Sequence, residues 1–109
     1  MAEPLLSIVI DALDEKKGQQ IDVIDVRDKC SFADHIVIVT GSSNRHVKSL
    51  AMDVSMASKK QGLIPLGVEG MDSGEWVLID LGNIIVHVMQ PKIREFYQLE
   101  KLWAVDAEV

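Results

Sequence analysis

The sequence has one cysteine, Cys30, so no internal disulfide can form and the chain suits a reducing compartment. Cys30 sits in the loop DKCSF with no evident base beside it and reads as a structural thiol rather than a nucleophile. Long apolar runs are missing as well. No segment approaches the roughly 20 apolar residues that cross a bilayer, so no membrane association is expected. The opening MAEPLLSIVIDALDEKK is acidic where a signal or transit peptide is basic, and a cytoplasmic protein is expected. Basic residues are in deficit: 11 Lys and Arg stand against 17 Asp and Glu, a net charge of −6. Such a chain repels phosphate backbones on average, which argues against nucleic-acid readout. It can be drawn to a basic protein surface, although an acidic exterior also serves solubility alone.

The motifs of several chemistries are absent too. His35, His46 and His87 are widely spaced, with no H-x-x-x-H and no C-x-x-C, so no metal site is expected. Two-metal phosphoryl transfer needs carboxylates converging on ions roughly 4 Å apart. Asp22 and Asp25 are three apart and Glu75 and Asp80 five apart, so each pair faces opposite sides of a strand, and they read as solvated strand-end charge. Ser42 and Ser43 lie in no nucleophile elbow. The turn Gly41-Ser42-Ser43-Asn44 follows an apolar strand and opens a helix, where free N–H groups can bind phosphate. The same residues are ordinary N-caps that satisfy those groups themselves, and neither the Walker spacing nor G-x-G-x-x-G is present. A nucleotide-binding or nucleotidyltransferase-like enzyme using the Gly41-Ser42 turn is the alternative reading of function; the leading one needs no cofactor.

At 109 residues the chain makes one domain, 1–109, and buries roughly 65% of its unfolded surface, enough for one core and not two. Repeats, linkers and low-complexity stretches are absent, so no boundary is placed, and Ala104 to Val109 reads as a frayed acidic tail. Pro4 starts a helix whose stripe Leu5, Ile8, Val9, Ala12, Leu13 runs to Gly18. Ile21 to Val26 is a strand broken by Asp22 and Asp25, placed toward an edge or bent there. His35 to Thr40, HIVIVT, is nearly continuous β-branched sequence, as in a central strand covered on both faces. A helix follows with Val47, Leu50, Ala51 and Val54 inward and Gly62 as its stop. Leu63 to Val68 is a short strand interrupted by Pro65. Pro91 starts a last helix with Ile93, Phe96, Tyr97, Leu99, Leu102 and Trp103 apolar over about three turns. This order predicts an α/β fold with a mixed sheet.

Glu75 to Met89, EWVLIDLGNIIVHVM, reads as two strands joined at Leu81-Gly82-Asn83 and is apolar on both faces. Val77 and Ile79 share one face with Ile84, Val86 and Val88. The other carries Trp76, Leu78, Asp80, Ile85, His87 and Met89. That spare face is either covered by the last helix, with Phe96, Tyr97 and Trp103 over Trp76, or kept for a partner. The partner is a different protein or a second copy of this chain, which makes a homodimer.

Four segments in order resemble the ribosomal silencing factor family, also called the Iojap family: TGSSNR from Thr40, GEWVLID from Gly74, IIVHVM from Ile84 and REFYQLEKLW from Arg94. The resemblance runs from about Leu5 to Trp103. It implies a sheet with helices mainly on one face, nucleotidyltransferase-like without the catalytic carboxylates, and no enzymatic activity. It further implies a translation repressor that binds the large ribosomal subunit through a basic interface protein, the fourteenth in large-subunit naming, and blocks joining of the small subunit. On this resemblance the contact residues are Trp76, Leu78, Asp80, His87 and Met89, with Tyr97 at the rim.

Overall fold

The computed structural model describes residues 2–29, 31–99 and 101; Cys30, Leu102, Trp103 and the tail 104–109 lie outside them. The elements follow the expected order: α1 (Ala2–Glu15), β1 (Gln19–Asp25), β2 (His35–Thr40), α2 (Asn44–Lys60), β3 (Gly67–Glu69), β4 (Trp76–Asp80), β5 (Ile84–Met89) and α3 (Pro91–Tyr97). They form one mixed five-stranded sheet in the order β1-β2-β5-β4-β3. Only β2 and β5 run parallel, as a parallel pair needs a long crossover and α2 with the β3–β4 hairpin supplies it. All six residues of β2 are buried, which accounts for its unbroken β-branched run.

The sheet divides the interior, which corrects the expectation of a single core. On one face Val9 and Leu13 of α1 and Val47, Leu50 and Val54 of α2 pack on Val37, Val39, Val77, Ile79, Val86 and Val88. On the other face Val26, Ala33, Ile36, Ile38 and Met89 form a second buried cluster, joined by Ile24, Ile93 and Leu99. The physical reason is β2, whose two apolar faces each demand cover.

Four boundaries differ from the sequence reading. Strand β1 is the edge strand, bulged between Gln19 and Asp22 with Gln20 at φ 51°, and it ends at Asp25; Val26 turns inward and is fully buried. The left-handed residue that closes the turn after α1 is Lys17, at φ 63°, one position before Gly18. Strand β3 begins only at Gly67, because Pro65 cannot donate to a ladder. Helix α3 ends at Tyr97, inside the single helix read from the sequence: Gln98 takes the left-handed conformation at φ 50° and its N–H bonds the Arg94 carbonyl, Leu99 and Lys101 are helical again past this break, and the expected continuation to Leu102 and Trp103 lies outside the described residues. Leu99 still reaches the second cluster from beyond that stop.

The turn between β3 and β4 starts at Gly70, which has φ 93° and whose missing Cβ would lie 2.1 Å from the Trp76 carbonyl oxygen. An added methyl must therefore push the first residue of β4 as well as strain the backbone. Gly70→Ala is expected to cost about 2 kcal/mol in urea unfolding, whereas Gly67→Ala, with nothing within 4 Å of its Cβ, should cost under about 0.5 kcal/mol. Equal midpoints for the two variants would refute the close approach.

Candidate docking face

The pairing of β4 with β5 sets Trp76 opposite Met89, Leu78 opposite His87 and Asp80 opposite Ile85, the register that alternation requires. The face away from α1 and α2 is thus made of the expected residues. Trp76, Leu78, Asp80, Ile85 and His87 are half-buried, while Val77, Ile79, Ile84, Val86 and Val88 behind them are buried.

Met89 is the exception and a correction: it is 0% exposed and so cannot be a contact residue. It lies at the end of β5 in the second cluster with Ile36, Ile38 and the partly buried Ile93 of α3. Its place on the correct strand face is therefore spent on internal packing. The accessible face is the remaining part of β4 and β5.

An aromatic group marks the border between the covered and open parts. The Trp76 indole N–H donates to His87 Nδ1 at 3.0 Å, with ring centroids 5.9 Å apart. Tyr97, the last residue of α3, sets its ring 4.8 Å from Trp76 and stays 51% exposed, a rim position. Phe96 does not cover Trp76; it meets Tyr97 edge-on at 5.0 Å and is 79% exposed. Trp76 is accordingly flanked by α3 and neither sealed under it nor fully open. At the far end Asp80 Oδ1 accepts the Gly82 N–H at 2.9 Å, which braces the β4–β5 turn and fixes the carboxylate.

Burial pushes the His87 imidazole down to about 4 from its ordinary 6.5. Between those values the unfolded chain binds the proton and the folded chain does not, so stability falls as pH drops from 6.5 toward 4. With its partial exposure allowed for, His87 should account for about 2 kcal/mol of that loss. The check is urea unfolding at pH 7 and 4.5 for wild type and His87→Asn: the wild type should lose more. Parallel losses would show that His87 does not titrate in that window.

Sequence reasoning missed Arg94. This residue is buried on α3, and its Nη1 donates to the Gln20 carbonyl at 2.6 Å and to Thr40 Oγ1 at 2.9 Å, while Nη2 meets Asp22 Oδ2 at 2.8 Å. It fastens α3, and hence Tyr97, to the β1 bulge and the end of β2. Its partners lie 54 to 74 residues away, and a lone arginine on a terminal helix carries no local signal of such bonds.

The Gly41 turn is occupied by its own side chains. Ser42 N–H donates to His46 Nδ1 at 2.8 Å, His46 N–H to Ser43 Oγ at 3.1 Å, and His46 Nε2 lies 2.8 Å from the Lys16 carbonyl. Ser43 is the N-cap of α2. Gly41 is required for closeness: a Cβ there would lie 2.7 Å from Val47 Cγ2. The aspartates are likewise engaged and are not merely solvated charge. Asp22 pairs with Arg94, and the Arg27 side chain and backbone hold Asp25 down to about 2. Among the described residues no three His, Cys, Asp or Glu side chains converge as metal ligands, and no helix is long and apolar enough to cross a membrane.

The family model described as "Ribosomal silencing factor during starvation" matches residues 1–109. The chain is 44% identical to "Ribosomal silencing factor RsfS" of Haemophilus influenzae over 100 residues, 92% of this chain and 98% of that one. It is 29% identical to "Mitochondrial assembly of ribosomal large subunit protein 1" of Mus musculus, covering 92% of this chain and 45% of the mouse protein. A crystal structure of a Chromobacterium violaceum protein superposes with a TM-score of 0.94 at 39% identity, over 95% of this chain and 87% of that one. The chain belongs to the ribosomal silencing factor family.

Proposed function

We propose that the protein is a non-catalytic translation repressor that docks on the large ribosomal subunit and blocks joining of the small subunit. Family membership supports the ribosome as target, and the name of the mouse relative ties that protein to the large subunit. The observation that carries the surface is the half-buried cluster of Trp76, His87 and Tyr97 at the border of the open part of the sheet. A rigid aromatic anchor with a polar handle, ringed by half-buried aliphatic and acidic side chains, has the make-up of a protein-docking patch. The partner in this reading is a basic ribosomal protein at the subunit interface, the fourteenth in large-subunit naming. Asp80 and the net charge of −6 steer the encounter and its orientation.

The mechanism is occlusion: once seated, the protein fills space that the small subunit must enter, with no turnover, cofactor or nucleotide. The sheet is nucleotidyltransferase-like in this reading and lacks the catalytic carboxylates, Asp22, Asp25 and Asp80 serving structural contacts. The protein acts in the cytoplasm, and the same open face can pair two copies into a resting homodimer that dissociates on docking. Co-sedimentation with purified large subunits tests the binding, and its failure would sink the function. Calorimetry with nucleotides and magnesium separates the enzyme alternative, for which binding heat is required.

A further inference from the structure

We propose that His87 positions Trp76 and is itself the hydrogen-bond donor of the docking face, offering Nε2–H to a carbonyl or hydroxyl oxygen of the protein that seats there. The proposal rests on the docking reading above and deepens it by assigning atoms to the contact. An indole N–H donates and never accepts, so the 3.0 Å contact makes His87 Nδ1 the acceptor and leaves the ring proton of the neutral imidazole on Nε2. The His87 ring makes no second hydrogen bond, while the one buried unpartnered side-chain polar atom among the described residues is Nδ1 of His35. Nε2–H is therefore unpaired and not fully buried, on the face that also carries Leu78 and Trp76.

Two consequences follow from the chemistry. Burial keeps the imidazole neutral at physiological pH, so the face presents a single tautomer with a donor at one place rather than a mixture. The acceptor that fits is uncharged, because Asp80 and the acidic chain disfavour a carboxylate there; cationic side chains of a basic partner are directed to Asp80 instead. The same hydrogen bond, with the Tyr97 ring at 4.8 Å, restrains the indole before binding. An anchor already ordered loses less rotamer freedom when the complex forms.

The test uses the full-length protein, nitrogen-15 NMR and large-subunit binding. The wild type should show the Nε2–H tautomer of His87 at pH 7 and an indole N–H of Trp76 protected from exchange, identified by its loss in Trp76→Phe. His87→Asn places Oδ1 near the position of Nδ1, so the indole should stay protected while binding weakens roughly three- to tenfold through the lost donor. His87→Gln reaches the Nε2 position but leaves the indole without its acceptor, so protection should be lost. His87→Phe should lose protection and bind more weakly than His87→Asn.

An Nδ1–H tautomer or an unprotected wild-type indole overturns the positioning role. Wild-type affinity in His87→Asn overturns the donor role. A wild type with the stated tautomer and protection that fails to bind large subunits overturns the docking reading and the donor role with it, while supporting the positioning role.

Discussion

Trp76→Ala is expected to weaken binding to isolated large ribosomal subunits about thirtyfold or more. Truncating a central aromatic anchor costs at least about 2 kcal/mol in a hot spot, and each 1.4 kcal/mol is a factor of ten. The substitution removes the indole from three neighbours at once: the His87 acceptor at 3.0 Å, the Tyr97 ring at 4.8 Å and the side of the second buried cluster. Because the indole also packs internally, the variant should melt below wild type, and binding must be read by titration well below its midpoint. Tyr97→Ala makes the complementary case. Tyr97 is half exposed and covers no buried atom cluster on its own, so its loss should weaken binding less and leave the melting temperature nearly unchanged. Wild-type affinity in Trp76→Ala would remove Trp76 from the interface.

Arg94→Ala is expected to lower stability by about 3 kcal/mol, or roughly 13 °C in melting temperature for a chain of this length. Arg94 is 7% exposed, and its removal strands the buried Thr40 hydroxyl and takes a donor from the part-buried Gln20 carbonyl. Arg94→Lys should recover less than half of the loss, because one ammonium cannot reproduce a fork that reaches the Gln20, Thr40 and Asp22 oxygens together. Asp22→Asn should cost under about 1 kcal/mol, since the Asp22 side chain is 56% exposed and its ion pair is screened. Thermal melts of the three variants check the order. An Arg94→Ala midpoint within about 2 °C of wild type would mean that α3 is held by Ile93 and Leu99 instead.

What could be read from the sequence was whatever has a short period. HIVIVT declared a strand buried on both sides because β-branched residues run without interruption, and the Glu75–Met89 hairpin showed its two faces through alternation alone; the observed register reproduces both faces. Caps were legible for the same local reason, Ser43 before α2 and Pro91 at the start of α3. The failures are all non-local. Met89 belongs by alternation to the open face, but its burial is decided by how α3, which begins two residues on, folds back and by β1 and β2, which are distant in sequence. The stop of α3 at Tyr97 has no glycine or proline to announce it; Gln98 adopts a left-handed conformation that side chains seldom take. The Arg94 bonds join residues that only the strand order brings together, whereas the Trp76 to His87 bond crosses one hairpin and needs only its register.

The central claim, that this face seats on the large subunit in a way that excludes the small one, is tested most directly by light scattering of purified subunits mixed in the presence of the protein. Stoichiometric wild-type protein, without nucleotide, should suppress formation of the joined ribosome, and Trp76→Ala should require about thirtyfold more to do so. Full subunit joining at a protein concentration that saturates the large subunit would contradict the account.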